Sequence, residues 1–351
     1  MKPLIKLLAK DVAGSLSPKR LDKVFNLLDR RIAKVNERIE GKVRICALQL
    51  EARAYSSLSD LVRDIDAHLH SAVNEGAELV CFPEFFGVFT LFASPLVRTA
   101  FWKLTKKLPS GDGAAAGDSG FDLAQYFGPF SFMPERYVDL MGRFAVRYGI
   151  WISCGSIPAY DGGKLYNRQI LLDDRGKLAG TQDKLNLVPM ETELGFSRGE
   201  TLEVFETPLG KIAIPVCMDA TYFETFKIAK GLGADFVILP IANMEPYNYH
   251  LALRGAAMRV TETNLAAIKP ALVSGKGFPI EITGRAGIYF PLGFQRKSRE
   301  ISSGEGSSMV VETLDINALK SYTPERFCLK NQAFDKKLIQ AYSSCPSPQE
   351  K

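Results

Sequence analysis

Cys217 is the residue in this sequence whose position is best suited to chemistry. It closes the apolar run 211–216 and opens the segment CMDATYFE at 217–224. The run predicts a buried strand and the segment after it a helix, so the cysteine lies where one ends and the other begins. Backbone N–H groups and the helix dipole would there favour the nucleophilic thiolate. A lone cysteine is more often a small buried apolar side chain, so the hypothesis needs further residues.

Two other segments carry residues that would complete such a site. Glu84 follows an apolar strand and a proline in CFPEFF at 81–86, and Lys184 lies in QDKLNLVPME at 182–191. A carboxylate at a strand end can take the thiol proton if burial raises its proton affinity, and can later protonate departing ammonia. Attack on an amide or nitrile carbon forms an oxyanion, which Lys184 and the backbone N–H of Met218 would stabilise.

The order of these residues supports the hypothesis more than any one of them does. Lys184 follows Glu84 by 100 residues and Cys217 follows Lys184 by 33. Each is predicted at a strand end in an alternating α/β pattern, where functional sites of open sheets assemble. Taken singly, Glu84 is also typical of a capping or surface residue, and Lys184 of a solvated surface lysine.

Histidine and cysteine usage excludes other classes of site. The three histidines are His68, His70 and His250, and the first two lie two apart on a predicted helix, where they point to different faces. A His-based zinc site or a Ser-His-Asp triad would have to be built around His250. A papain-like cysteine protease is excluded as well, because His250, the only plausible histidine, lies in no motif of that class. The six cysteines form no C-x-x-C pair, a pattern typical of reduced thiols in a cytoplasmic protein.

The N-terminal residues 1–42 form a basic arm. They hold 11 Lys/Arg and 5 Asp/Glu residues, whereas the rest of the chain holds 33 Lys/Arg and 34 Asp/Glu. The excess of positive charge therefore belongs to the arm, and the body lacks the basic surface expected of a nucleic-acid-binding protein. Ser17-Pro18 predicts the start of a helix Lys19–Ile39 that packs on the body or on a second subunit, with contact to a membrane surface as the weaker alternative. We expect deletion of residues 1–41 to change the oligomer size. No apolar run is long enough to span a membrane, and lysines interrupt any secretory signal.

From Val43 onward, alternating strands and helices are predicted to position the candidate residues. The predicted strands are Val43–Leu50, Leu79–Phe82, Ile150–Ile157, two within Leu165–Thr181, 211–216, Phe236–Pro240, Leu265–Ile268, Arg285–Phe290, Met309–Val311 and Leu314–Ile316. The predicted helices are Ser57–Glu75, Pro134–Tyr148, Tyr222–Gly231 and Tyr249–Thr263. Residues 85–133 are predicted to form a long irregular segment, flexible at 110–120, that serves as a pocket wall or a lid.

Over about residues 43–316 the sequence resembles the nitrilase superfamily of carbon–nitrogen hydrolases. Its FPE at 82–84 resembles the family's base motif, DKLNLVPME at 183–191 its lysine motif, and VCMDATYFE at 216–224 its nucleophile motif. Three further segments match the family's pattern: Tyr166-Asn167, Arg198-Gly199-Glu200 and Arg259-Val260-Thr261-Glu262.

Three positions depart from that pattern, and none is in the triad. Met218 stands where the family usually has an aromatic residue, which alters the pocket wall but leaves a backbone N–H in place. The segment Tyr222-Phe223-Glu224 replaces Phe-Pro-Glu, and Thr263 separates the common Glu-Asn pair.

The resemblance implies an α/β fold, a four-layer α-β-β-α sandwich that forms a homodimer or a higher homo-oligomer. It implies a Glu84–Lys184–Cys217 triad and neither a metal nor an organic cofactor. A second catalytic glutamate, which joins the triad and helps to position the substrate, is implied at Glu191, with Glu193 as the fallback and a surface loop carboxylate as the alternative for Glu191. The domains expected are the arm 1–42, the hydrolase domain 43–316 and a C-terminal tail 317–351.

Asp219, two residues after the cysteine, favours an amidase, because nitrilases in the superfamily tend to carry Trp-Glu after the cysteine. The expected reaction is attack on a small linear amide, release of ammonia and hydrolysis of the thioester. N-carbamoyl compounds and nitriles are alternatives, as are acyl transfer to an amine and an inactive interaction module. Arg198 or Arg259 could bind a substrate carboxylate, with a structural role as the alternative.

Overall fold

The structure, a computed structural model, describes residues 2–29, 39–105, 124–248, 250, 252, 255–294, 297–323 and 337. The helices of these residues are α1 (Lys2–Ser15), α2 (Pro18–Phe25), α3 (Leu58–Asn74), α4 (Pro95–Thr105), α5 (Ala124–Phe127), α6 (Met133–Tyr148), α7 (Pro189–Glu193), α8 (Phe223–Gly231), α9 (Ala256–Thr263) and α10 (Ile316–Ser321). The strands are β1 (Lys42–Ala52), β2 (Leu79–Cys81), β3 (Trp151–Asp161), β4 (Lys164–Leu172), β5 (Leu178–Asp183), β6 (Val204–Thr207), β7 (Gly210–Ala213), β8 (Phe236–Ile238), β9 (Ala266–Lys269), β10 (Ala271–Ser274), β11 (Gly287–Tyr289), β12 (Arg299–Glu300) and β13 (Ser308–Asp315).

Two sheets form the centre of the fold. The first has the order β10-β1-β2-β3-β4-β5, with β13 also paired to β1, and the second has the order β12-β11-β9-β8-β7-β6. Helices α3 and α6 cover the outer face of the first sheet, and α8 and α9 cover that of the second. The four-layer α-β-β-α sandwich implied by the resemblance is confirmed.

Strand β1 shows why its apolar run is nearly continuous. Successive side chains of a strand point to opposite faces, and both faces of β1 are buried. One face packs against the helices of the first sheet and carries Cys46, Leu48 and Leu50. The other face packs against the second sheet and carries Val43, Ile45 and Ala47.

The N-terminal helices pack on the body of the same chain. Val12 and Leu16 of the first helical region and Leu21 of α2 are fully buried in the cluster that includes α3 and α6. The ring of Phe25 lies 4.6 Å from that of Phe144 on α6. None of the helices in the described part of the chain is both long and apolar enough to cross a membrane.

The predicted extent of the second N-terminal helix is wrong. Helix α2 begins at Pro18 as expected, because proline is pre-organised for the first turn, but it ends at Phe25. The backbone N–H of Asn26 closes this end by donating to carbonyls of the last turn. The prediction of a helix Lys19–Ile39 also covers residues 30–38, which lie outside the described residues.

Three other predictions of secondary structure need correction. The two short strands predicted near the C-terminus form the single strand β13, because it pairs with β1 without a break from Ser308 to Asp315. Strands β6, β10 and β12 were not predicted. The segment 85–133 was predicted to be irregular, but its described residues are mainly helical. They form a 3₁₀ helix at Phe86–Ala93, whose phenylalanines are buried in the core, followed by α4 and α5. The part predicted to be flexible, 110–120, lies outside the described residues.

Candidate active site

Glu84 lies in a turn beyond β2 that strand β3 holds in place. The backbone N–H of Phe82 donates to Ser153 O at 2.8 Å, and that of Phe85 donates to Ser156 Oγ at 2.9 Å. Between those two serines the pairing of β3 is irregular, and this bulge turns the Ser156 hydroxyl toward the turn. Phe85 itself has φ +58°, so the chain reverses sharply right after the carboxylate.

Gly155 in this bulge makes the close approach of the two segments possible. A Cβ atom there would lie 1.9 Å from Pro83 O, and the residue has φ +68°. Only glycine satisfies both conditions at low cost. The position of Glu84 therefore depends on a residue of the neighbouring strand.

A buried network joins Glu84 to Lys184 and Glu191. Lys184 Nζ lies 2.8 Å from Glu84 Oε1 and 2.7 Å from Glu191 Oε2. The amide nitrogen of Asn167 donates to both carboxylates, at 2.9 Å to Glu84 and 2.8 Å to Glu191. The Val188 backbone N–H donates to Glu191 at the start of α7. All three charged side chains are almost fully buried, so each depends on the others for compensation.

Cys217 occupies a strained position between β7 and α8. It opens a single 3₁₀ turn, 217–221, with φ +41°, a region that a non-glycine residue adopts at a cost of about 1–3 kcal/mol. Its backbone N–H donates to Pro240 O, and its Sγ lies 3.6 Å from Asn243 Oδ1. The carboxylate of Asp219 fixes this turn by accepting from the backbone N–H of Val216 and of Asn186, at 2.9 and 2.7 Å.

The electrostatics favour a neutral thiol in the free site. Burial, reinforced by the Glu84 charge, raises the pKa of Cys217 well above its ordinary value, whereas Lys184 opposes this rise. The expectation that the thiolate is the favoured form is therefore wrong for the unliganded protein, although one backbone N–H, that of Ala242, does act in favour of the thiolate. The Cys217 N–H is already paired with a carbonyl, and one 3₁₀ turn has little dipole.

Glu84 and Lys184 have pKa shifts that suit a base and a permanent cation. Burial raises the pKa of Glu84 despite the neighbouring Lys184. For Lys184, burial opposes the charged form, but Glu84, Cys217 and Glu191 together raise its pKa above the ordinary value. The lysine thus stays charged, while the carboxylate has an increased affinity for a proton.

These residues share one cavity of about 430 Å³ between the two sheets. Glu84, Lys184 and Glu191 reach it from the first sheet and the segment that follows β5, and Cys217 reaches it from the end of β7 in the second sheet. Met218 also lines the cavity, and the role of its N–H as an oxyanion donor stays a prediction.

Other predicted residues lie elsewhere. Glu193 and Arg198 are exposed and lie outside the cavity lining, which favours Glu191 over its fallback. Arg259 also lies outside the lining, and its guanidinium forms an ion pair with Glu262 at 2.5 Å.

Several residues of the site were not predicted in their roles. Asn167 was recognised only as part of a motif, and Lys269 and Arg285 were not singled out although both line the cavity. Lys269 ends the apolar strand β9. The rule that drew attention to Lys184, a charge at a strand end, would have found it. Within the described residues, no three His, Cys, Asp or Glu side chains form a group that could hold a metal ion.

The family follows from the match of the chain to a known family pattern. Residues 42–277, more than half of the chain, match the carbon–nitrogen hydrolase family. The chain therefore belongs to the carbon–nitrogen hydrolases, the enzymes of the nitrilase superfamily, and the resemblance described above is confirmed.

Curated relatives include hydrolases and amidases at modest identity. The chain is 27% identical to the omega-amidase NIT2 of Danio rerio over 242 residues, which cover 66% of this chain and 75% of that protein. It is 27% identical to the probable hydrolase YhcX of Bacillus subtilis over 208 residues, or 59% of this chain. That match spans only 36% of the Bacillus protein.

Solved structures share the fold. Nit3 of Saccharomyces cerevisiae, a member of branch 10 of the nitrilase superfamily, superposes with a TM-score of 0.59 at 20% identity, over 86% of this chain and 99% of that one. An amidase from Nesterenkonia sp. superposes with a TM-score of 0.58 at 19% identity, over 84% of this chain and 98% of that one.

Proposed function

We propose that this carbon–nitrogen hydrolase is an amidase that cleaves a small linear amide through a thioester on Cys217. The observation that carries the proposal is the buried contact of Glu84 with Lys184 in the cavity that also contains the Cys217 thiol. The omega-amidase and amidase relatives support the same reaction class.

In the first half of the reaction, Glu84 takes the thiol proton as Sγ of Cys217 bonds to the amide carbon. In this proposal the oxyanion that forms is stabilised by the Lys184 ammonium and by the backbone N–H of Met218. Glu84 then gives its proton to the amide nitrogen, the C–N bond breaks, and ammonia leaves. The acyl group remains on sulfur as a thioester.

In the second half, Glu84 deprotonates a water molecule that attacks the thioester carbon. Collapse of the second tetrahedral intermediate releases the carboxylic acid and restores the thiol. Glu191 is a positioning residue in this account, because it contacts the lysine and shares Asn167 with Glu84.

Ammonia release from a panel of carboxamides, N-carbamoyl amino acids and aliphatic nitriles tests the reaction class. We expect turnover of the carboxamides, and its loss in Cys217→Ala. Preference for N-carbamoyl compounds would instead indicate an N-carbamoyl amidohydrolase, and preference for nitriles would indicate a nitrilase. Ammonia from no compound, together with biological activity that survives Cys217→Ala, would indicate an inactive interaction module, and product formation only with an added amine would indicate an acyltransferase.

Glu84→Gln tests the base directly. We expect turnover to fall by at least about 100-fold, because glutamine cannot accept the thiol proton. Glu193→Gln, at the exposed end of α7 and outside the cavity lining, is the control and should retain the rate. A near-normal rate in Glu84→Gln would remove Glu84 from the mechanism.

A further inference from the structure

The short segment 239–243, directly after β8, contacts both the nucleophile and the base. The carbonyl of Pro240 accepts from the Cys217 backbone N–H at 3.0 Å, and the Ala242 backbone N–H donates to Glu84 Oε2 at 2.9 Å. The side-chain oxygen Oδ1 of Asn243 lies 3.6 Å from Cys217 Sγ. The proposed mechanism gives this oxygen no role, although Asn243 lines the cavity beside the reacting sulfur.

Backbone pairing on two sides holds this segment in place. Ile241 forms an isolated bridge with Ala271, the first residue of β10, and Asn243 forms another with Thr283. In the second bridge the Thr283 backbone N–H donates to Asn243 O at 2.7 Å. The Asn243 side chain therefore extends from an anchored backbone, and its oxygen has a defined place beside the sulfur.

The Asn243 oxygen loses its hydrogen-bond donor when the reaction begins. Because the thiol of the free site is neutral, it is the donor in this contact and Oδ1 is the acceptor. Glu84 also forms a hydrogen bond with this thiol, and a single S–H proton is transferred to Glu84 when Sγ attacks. Oδ1 then faces a sulfur without a proton. A buried acceptor without a donor is costly, so a donor brought by the substrate would be bound there.

We propose that Asn243 is a further catalytic residue, whose side-chain oxygen accepts a hydrogen bond from the nitrogen that leaves. An amide brings N–H groups to the carbon that Sγ attacks, whereas the alkoxy oxygen of an ester brings none. Asn243 thus determines a preference for amides over esters of the same acyl group. The inference deepens the proposed amidase function and rests on it.

This hydrogen bond would strengthen as the C–N bond breaks. Glu84 gives its proton to the amide nitrogen, and the electrons of the C–N bond pass to that nitrogen as ammonia leaves. The nitrogen is partly positive at this stage, so its N–H groups become stronger donors to Oδ1. No proton passes to Asn243 in this step. An interaction that is stronger in the transition state than in the bound substrate raises kcat.

The test compares kcat/KM for butanamide and methyl butanoate, with butanoic acid measured as the product of both. Asn243→Leu has a similar size but no hydrogen-bonding group, so we expect it to lower the ratio of amide to ester by at least about tenfold, as for a hydrogen bond to a charged group. Asn243→Asp keeps an acceptor oxygen and should retain the ratio, although its charge beside the sulfur lowers both rates.

Asn248→Leu is the matched control for the asparagine side chain. Asn248 also lines the cavity, but its Oδ1 accepts from the His250 backbone N–H at 2.9 Å. We expect this variant to leave the ratio of amide to ester unchanged.

Two kinetic outcomes would overturn the inference. If Asn243→Leu lowers kcat/KM for the amide and the ester in the same proportion, Asn243 only supports the segment that carries it. If Asn243→Asp loses the ratio to the same extent as Asn243→Leu, the side-chain oxygen is not the group that recognises the leaving nitrogen.

Binding to Cys217→Ala, measured by NMR titration, separates this inference from the reaction and needs no turnover of either compound. Butanamide should bind about fivefold more weakly to Cys217→Ala/Asn243→Leu than to Cys217→Ala, as for one neutral hydrogen bond, whereas methyl butanoate should bind both variants equally. If no amide is turned over, the proposed function fails, yet this difference would still support the hydrogen bond. Equal affinity of butanamide for the two variants would overturn it.

Discussion

At the residue scale, the protonation states of Glu84 and Cys217 explain why the site needs a base. Burial raises the pKa of both groups, so the thiol keeps its proton until substrate arrives and a carboxylate takes it. The strained φ of Cys217 adds a second constraint, since it fixes the sulfur at the start of a turn instead of along a strand.

The raised pKa of Glu84 predicts the acid side of the pH–rate profile. Glu84 must be ionised to accept the thiol proton, and the protonated form persists to higher pH than for an ordinary glutamate. We therefore expect kcat/KM to fall on acidification with a midpoint above 4.5, the ordinary value. Lys184 should contribute no loss near neutral pH, because its charged neighbours raise its pKa.

A pH–rate profile measured with circular dichroism at each pH checks this expectation. The dichroism signal must stay constant across the acid limb, so that loss of rate reports on titration of the site. A midpoint at or below 4.5 in folded protein would contradict the role of Glu84 as the base.

At the element scale, the contact between the β2 turn and the bulge of β3 holds the carboxylate in place. Tyr137 of α6 adds to this contact, because its hydroxyl donates to Cys154 O at 2.6 Å within the bulge. The carboxylate thus depends on three elements that are distant in sequence.

Gly155→Ala tests this contact. The new methyl group would meet Pro83 O, and φ +68° disfavours alanine, so we expect unfolding free energy to fall by about 2–5 kcal/mol together with activity. Gly162→Ala is the matched control, because Gly162 has φ +55° but nothing within 4 Å of the added carbon. Urea unfolding of both variants should show a loss of only about 1–2 kcal/mol for the control. Equal losses would mean that the close approach is unimportant.

The elements show what could be predicted from sequence and what could not. Strands such as β1 and β3 stand out as nearly continuous apolar runs and helices such as α3 and α6 by their apolar periodicity, and most were predicted to within a few residues. Helix α2 was overextended, because apolar spacing continued beyond the residue at which its last carbonyls are capped. The bulge at Gly155 and the φ of Cys217 depend on contacts between distant segments, for which local periodicity carries no signal.

The candidate site follows the same division. Glu84, Lys184 and Cys217 stand out because each follows a strand in an ordered series of motifs. Arg285 lies in a short segment before β11, and its place in the cavity depends on how the second sheet meets the first. Only the packed structure brings it to the same cavity as Lys269.

At the scale of the whole molecule, the site lies between the two sheets of the sandwich. The base and the lysine come from the first sheet, and the nucleophile, Lys269 and Arg285 come from the second. Any change that shifts one sheet against the other would separate base from nucleophile. Assembly into a homo-oligomer, the cytoplasmic location and an assembly role for the N-terminal arm stay proposals.

The N-terminal helices contribute to this packing, and Leu21→Ala measures how much. Leu21 is 0% exposed in the core beside α3 and α6, so its truncation should lower the free energy of unfolding by about 2–5 kcal/mol. Leu27, 64% exposed, provides the matched control, and Leu27→Ala should stay within about 0.5 kcal/mol of the wild type. Equal stability of the two variants in urea would show that α2 does not stabilise the body.

The central claim is the thioester on Cys217, and rapid acid quenching followed by mass spectrometry of the intact protein and its peptides tests it most directly. During turnover of a carboxamide, we predict an acyl adduct on the peptide that contains Cys217, absent from Cys217→Ala, which should also release no ammonia. Ammonia released by Cys217→Ala at the wild-type rate, with no adduct on the wild type, would contradict the account.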